Sequence, residues 1–256
     1  MKQKIIAVVN QKGGVGKTTT AVNLATALSA IDHKVLLIDL DSQGNASSGF
    51  GIDQKNRKLT TYDLISTDTD VLEIVKPTII PNIDIITATV DLSGAELSLV
   101  NKSSREYILK DRIEPLKKYD YIFIDCPPSL SILTINALVA SSSVLIPLQC
   151  EFYALEGLTH LLNTVELVKK RLNPTLEIEG VLLTMYDRRY NLTAQVEEDV
   201  RNYLGKLVFN TIIPRNVRVS EAPSYGKPVM MYDLKCLGSM AYIQLAKEIL
   251  EREKSL

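Results

Sequence analysis

Residues 10 to 20 read Asn10-Gln11-Lys12-Gly13-Gly14-Val15-Gly16-Lys17-Thr18-Thr19-Thr20. Gly13, Gly14 and Gly16 free the backbone to turn its amide groups inward, and Lys17-Thr18 opens a helix, so the segment has the make-up of a polyphosphate nest. The helix start adds roughly half a positive charge, Lys17 reaches toward terminal phosphates, and the Thr18 hydroxyl is placed to ligate Mg2+. Upstream, Ile5-Ile6-Ala7-Val8-Val9 is an unbroken apolar run, as expected of a parallel strand buried on both faces. Downstream, Ala21, Leu24, Ala25, Leu28 and Ile31 recur at helical spacing. Strand, glycine loop and helix follow in the order that phosphate binding requires. Gln11 stands where the common pattern has Gly, and Lys12 adds a second lysine to a loop that ordinarily carries one.

Working outward, 256 residues with 46% apolar content are enough to bury the core of one large α/β domain, predicted to span residues 1–256. A net charge of −1 predicts no strong whole-molecule attraction to nucleic acid, so any DNA binding must come from a local patch. Cys126, Cys150 and Cys236 have no metal-ligand spacing and fit a reducing cytosol. Met1 runs directly into the first strand, leaving no room for a signal peptide, and there is no run of about 18 apolar residues that could span a bilayer. The expectation is a soluble cytoplasmic protein.

Apolar runs alternate with helical spacing along the chain, which predicts a doubly wound, mostly parallel sheet with helices on both faces. Strands are expected at 5–9, 35–39, 83–87, 121–125, 144–147, 180–185 and 207–213, with helical segments near 103–118, 131–140, 154–172, 192–204 and 239–253. Residues 48–80 are polar and irregular, and Thr60-Thr61-Tyr62-Asp63 reads as a helix start. Two strand ends carry acids: Leu36-Leu37-Ile38-Asp39-Leu40-Asp41 and Tyr121-Ile122-Phe123-Ile124-Asp125. In open parallel sheets ligands sit at the carboxyl ends of strands, so these acids join the loop as site candidates.

The stretch Lys12-Gly13-Gly14-Val15-Gly16-Lys17-Thr18 resembles the deviant Walker A loop of the ParA/MinD class of P-loop NTPases. The resemblance implies that Lys12 crosses a dimer interface to the phosphates of the nucleotide held by the other subunit, giving an ATP-dependent homodimer. It places ATP against Lys12, Gly13, Gly14, Val15, Gly16, Lys17, Thr18 and Thr19, and Mg2+ at Thr18, Asp41 and, through water, Asp125. Asp41 takes the role of orienting the attacking water in switch I, with Asp39 in support, while Lys12, Lys17 and Asp41 form the catalytic set. Asp125 matches a Walker B acid, and Pro127-Pro128 stiffens the backbone entering switch II. Thr184 and Pro214 match positions near the adenine.

Ile213 to Pro228, with Asp39 to Asn45, Asp125 to Leu130, Gln149 to Gly157 and Leu182 to Asp187, resemble the ParA/Soj chromosome-partitioning ATPases over nearly the whole chain. In that subfamily the positions of Arg189 and Arg218, with Lys227 beside them, imply nonspecific binding of double-stranded DNA by the ATP dimer. Between Arg201 and Cys236 six basic residues face two acids, a bias that fits phosphate contacts. The implied partner is a ParB-type centromere-binding protein that stimulates weak ATP hydrolysis, and the implied location in the ATP state is the nucleoid. Ser42 departs from the family's usual Pro, and Asp233-Leu234-Lys235-Cys236-Leu237-Gly238 departs from a usual Asp-Pro-x-Ser-x-Gly pattern. Only nine residues precede Asn10, too few for a helix-turn-helix, so operator binding is not expected.

The alternative from the same loop is a MinD-like membrane-surface positioning ATPase. That reading requires a lysine-rich amphipathic C-terminal segment, whereas residues 246–256 balance acids against bases and carry no aromatic, so no membrane contact is expected. An iron-sulfur reductase would need a cysteine pair on a shared cluster, and a metabolic ligase would leave the basic stretch without a role. His33, His160 and Met230-Met231 enter no constellation and read as surface or packing residues.

Overall fold

The structure is a computed structural model that describes residues 3–100 and 102–254. Its seven strands are β1 (Lys4–Val8), β2 (Val35–Asp39), β3 (Lys76–Pro77), β4 (Ile83–Ile86), β5 (Tyr121–Asp125), β6 (Ser143–Gln149) and β7 (Glu177–Thr184). They form one sheet in the order β3-β4-β2-β5-β1-β6-β7, parallel throughout except for the β3 edge. The helices are α1 (Lys17–Ser29), α2 (Asn45–Gly49), α3 (Thr61–Ser66), α4 (Val71–Ile74), α5 (Leu92–Leu99) and α6 (Ile108–Ile113). They continue with α7 (Ile132–Ala140), α8 (Ala154–Arg171), α9 (Asn191–Leu204), α10 (Val217–Glu221), α11 (Val229–Tyr232) and α12 (Leu237–Lys254).

Because side chains alternate across a strand, each inner strand feeds two cores. Leu36 and Ile38 of β2 and Ile122 and Ile124 of β5 pack with residues of α3 to α9. Val35, Leu37, Tyr121 and Phe123 point the other way, into a core completed by Leu24 and Leu28 of α1 and Tyr242, Leu245 and Ile249 of α12. Each such fully buried aliphatic or aromatic side chain contributes roughly 1.5–3 kcal/mol. The apolar stripe of α12 is thus spent inside the protein, as an ordinary packed helix requires. Among the described residues no helix is long and apolar enough to cross a membrane.

Most expected elements are present, and the departures have local causes. The start at Thr60 is a capping box: its side chain accepts from Tyr62 N–H, and Asp63 reaches back to the Thr60 N–H at 2.8 Å. The helix expected over 103–118 shrinks to α6. Ser104 adopts a left-handed φ of 53°, and Pro115 has no N–H to carry the helical hydrogen bonds on to Asp111 O, although Glu114 before it is still helical. The strand expected over 207–213 is corrected to an irregular segment with two isolated bridges, Val181 to Val208 and Tyr186 to Pro214. Between them the N–H groups of Asn210 and Thr211, each at 2.8 Å, donate to the Glu248 carboxylate of α12 instead of to β7. The short antiparallel β3 was not expected, and Pro77 fits there because an edge strand tolerates a missing donor.

Candidate nucleotide site

The carboxyl ends of β1, β2, β5 and β7 converge on a cleft of about 460 Å³ lined by the glycine loop, Thr18, Thr19, Asp41, Thr184 and Pro214. The loop is held from both sides. Asn10, almost fully buried, donates to Pro147 O at 2.7 Å and accepts from Lys12 N–H at 2.9 Å. Thr184 Oγ1 donates to Val15 O at 2.8 Å, tying the loop to the end of β7. Gly16 sits at φ 88°, a left-handed conformation that costs glycine nothing, and serves as the N-cap of α1. The first turn of α1 therefore opens onto the cleft with N–H groups that have no partner within the helix.

The two lysines occupy different places. Lys17 is only 7% exposed, and its ammonium donates to Lys12 O at 3.0 Å. Burial pulls its pKa below the ordinary lysine value, an effect countered in part by the charges of Asp125 and Asp41. The Lys12 side chain is about half exposed and leaves its own loop to pair with Glu151, in the turn between β6 and α8. Glu151 lies in the Gln149 to Gly157 stretch, but its pairing with Lys12 was not foreseen, since no motif marks a partner 139 positions away.

Asp39 and Asp125 face each other across the β2–β5 pair. Asp39 is fully buried and accepts from Ser47 N–H at 2.8 Å, Ser47 Oγ at 2.6 Å and Asp41 N–H at 3.3 Å. Burial pushes its carboxyl up to about 6 against these hydrogen bonds. Asp125 is fully buried too, and among the described residues neither of its carboxylate oxygens has a hydrogen-bond partner of acceptable geometry. Burial, then the charge of Asp39, holds its pKa well above the ordinary carboxylate range, while the Thr18 hydroxyl close by favours the charged form. A buried, unsatisfied carboxylate is costly unless a cation or donor completes it. A hydroxyl and carboxylates around a phosphate nest are the oxygen ligands that Mg2+ takes, so the residues present fit a Mg2+-nucleotide.

Asp41 lines the same cleft, in a turn closed by Gly44 N–H to Asp41 O at 2.9 Å, with Gln43 N–H on its carboxylate at 3.0 Å. Met185, Asn45, Asn216 and Tyr242 also line it and were not foreseen. Met185, immediately after β7, takes a left-handed φ of 48°, which a sequence does not announce for a methionine. A wider hollow of about 1690 Å³ lies at the opposite ends of the strands, where Lys4 pairs with Glu179 and Glu253 at 2.8 and 2.9 Å. Its charges largely satisfy one another, and it is remote from the phosphate loop.

The basic candidates stand beside the nucleotide cleft. Tyr186 N–H donates to Ile213 O, and Arg215 N–H to Tyr186 O, both at 3.0 Å, which brings the segment of Arg188 and Arg189 alongside that of Arg215 and Arg218. Arg189 is exposed and forks onto Asp187 at 2.5 and 2.9 Å, holding that carboxyl at about 2. Arg218 pairs with Glu221 at 2.9 Å and Asp233 at 3.5 Å. Lys227 is exposed on the loop after Tyr225.

A parallel sheet wound on both faces, with a glycine loop entering a helix between two strand-end acids, defines a P-loop nucleoside triphosphatase of the deviant Walker A kind. A family model described as an AAA domain matches residues 3–178. The chain is 58% identical over 247 residues to the sporulation initiation inhibitor protein Soj of Bacillus subtilis, covering 96% of this chain and 98% of that protein. It is 54% identical over 254 residues to the chromosome partitioning protein ParA of Caulobacter vibrioides, covering 98% and 95%. Among solved structures, cobyrinic acid a,c-diamide synthase from Mycobacterium smegmatis with bound ADP and magnesium is 35% identical, with a TM-score of 0.86 over 100% of this chain and 96% of that one. The chain belongs to the ParA/Soj/MinD family of P-loop ATPases, and its cofactors are ATP and Mg2+.

Proposed function

We propose that this chain is an ATP-gated dimeric switch of chromosome or plasmid partitioning, acting as one ATPase unit. The observation that carries the reading is the separation of the two lysines: Lys17 lies inside its own phosphate site, while Lys12 projects from the lip of the cleft. An extra cation at that lip serves the phosphates only if a second copy closes over it. Lys12 then exchanges Glu151 for the nucleotide of the other protomer.

Within each protomer Lys17 and the loop amides hold the phosphates, and Asp41 orients the attacking water. Thr18, Asp41 and, through water, Asp125 would hold Mg2+, which would neutralise charge on the phosphates. Catalysis of phosphoryl transfer rests on positioning and charge stabilisation, and in the GTPase precedent a cation added in trans is worth about 10^3 to 10^5 in rate. Intrinsic turnover is therefore slow until dimerisation and a ParB-type partner complete the site.

The closed dimer binds double-stranded DNA nonspecifically through Arg189, Arg218 and Lys227. Arg189 and Arg218 exchange their present carboxylate partners for backbone phosphates, so the affinity is modest and falls steeply with salt. The chromosome partitioning protein at 54% identity and Soj at 58% weigh more than the 35% identical synthase, and the packed stripe of α12 argues against membrane attachment. An ATPase assay with and without duplex DNA, a ParB-type protein and anionic vesicles, at two salt concentrations, tests this. Strong stimulation by DNA and the partner together is expected; stimulation by vesicles alone contradicts it.

A further inference from the structure

Arg57 is a buried cation outside every motif, only 9% exposed, and among the described residues its side chain's hydrogen-bond partners belong to the segment that follows Asp41 or lie just past β4. Its Nη1 donates to Gly44 O at 3.2 Å and Ala88 O at 3.0 Å, while Nη2 donates to Ser48 Oγ and Ile52 O, both at 2.8 Å. The Nε donates to Ile52 O at 3.1 Å. Ser47 makes a second link to the same place: it donates to Asp39 and accepts from Ala88 N–H at 3.1 Å. The turn carrying Asp41 is thereby clamped between the sheet and one guanidinium fork, whose planar geometry lysine cannot reproduce.

Gly44 reports how closely the fork is seated. At φ 63° it already needs glycine, and a Cβ there would lie 2.2 Å from Arg57 Nη1 and 2.8 Å from Ala88 O. Gly44 N–H closes the turn onto Asp41 O, so displacement of Arg57 passes directly to the backbone that aims Asp41. Arg57 touches none of the residues lining the nucleotide cleft through its charge alone; it reaches them through this turn.

We propose that Arg57 is a positioning residue for ATP hydrolysis, holding the Asp41–Gly44 turn in the geometry that places the Asp41 carboxylate. The inference rests on the ATPase reading above. Its signature is a loss of turnover without a matching loss of nucleotide binding, because the phosphate loop and Lys17 are anchored separately by Asn10 and Thr184.

The test measures kcat and KM for ATP, and the affinity of a fluorescent ADP analogue, for wild type, Arg57→Ala, Arg57→Lys and Ser48→Ala. Arg57→Ala is expected to lower kcat by about 10- to 100-fold, the range a misplacement near 1 Å produces, with ADP affinity unchanged. Arg57 also lines a polar cleft of about 570 Å³ open to solvent, so added methylguanidinium has a route to the vacated place. It should restore kcat in Arg57→Ala, whereas sodium chloride at equal concentration should not. Arg57→Lys should retain only part of the activity. Should Arg57→Ala not fold, Ser48→Ala, at an exposed position that loses one fork contact together with the bond from Ser48 Oγ to Gly44 O at 3.1 Å, is expected to lower kcat severalfold with an unaltered melting temperature. Unchanged kcat in the variants, or parallel loss of kcat and ADP affinity, overturns the proposal. Absence of wild-type turnover even with DNA and partner would instead overturn the ATPase reading itself.

Discussion

At the scale of single residues the site is built from groups held at a cost. Asp125 is buried with no hydrogen-bond partner of acceptable geometry among the described residues, beside the buried Asp39, an arrangement that favours protonation of both. For Asp39 the folded value of about 6 lies above the ordinary 3.8, so the folded state binds the proton more tightly. Its contribution to stability is present at low pH and is lost as the pH rises toward and through about 6. Asp125→Asn removes the buried charge, and we expect it to stabilise the nucleotide-free protein by about 1–3 kcal/mol at neutral pH while weakening Mg2+-dependent nucleotide binding. Thermal unfolding with and without Mg2+-ATP checks both halves, and a destabilised apo variant would contradict the account. The phosphate loop was legible from its residues alone, because glycines, lysine and threonine must stand in that order for the chemistry to work. Arg57 and Glu151 were not legible, since their partners are backbone carbonyls and a distant lysine brought near only by the fold.

At the scale of elements, the strands were readable wherever burial on both faces forced a continuous apolar run, as in β2 and β5. The segment 207–213 carries a similar run, and the N–H groups of Phe209 and Ile213 donate to Val181 O and Leu183 O of β7, but those of Asn210 and Thr211 between them go to Glu248 on a helix 37 or more residues later. Periodicity reports which side chains are apolar and says nothing of where N–H groups are satisfied. Burial raises the pKa of Glu248, but the N–H groups of Asn210 and Thr211 and the Arg252 guanidinium together lower it below the ordinary 4.5. A depressed carboxyl stabilises the fold above its unfolded pKa and loses that contribution as pH falls through the folded one. Glu248→Gln should therefore cost about 1–3 kcal/mol at neutral pH, with the deficit shrinking as the pH is lowered below about 4. Melting curves of both proteins across that range measure it, and a deficit that persists unchanged in acid would contradict the assignment. The same contact supports the wall that carries Pro214, so a rise in KM for ATP is expected alongside.

At the scale of the whole molecule, a net charge of −1 means that the proposed DNA binding must come from a local surface. Three basic contacts per protomer, doubled in a dimer, predict a slope of log K against log salt of about −5 for duplex DNA, and Arg218→Ala should reduce its magnitude by about 2. Fluorescence anisotropy with DNA of unrelated sequences measures this, and a salt-independent or sequence-dependent affinity would argue for a different surface. All of these consequences depend on ATP joining two copies through Lys12. Light scattering of wild type and Lys12→Ala with Mg2+ and either ATP or ADP tests that step most directly. Wild type should double its mass with ATP and remain monomeric with ADP, whereas Lys12→Ala should stay monomeric in both while still binding ADP. An ATP-dependent dimer that forms equally well without Lys12 would contradict the account.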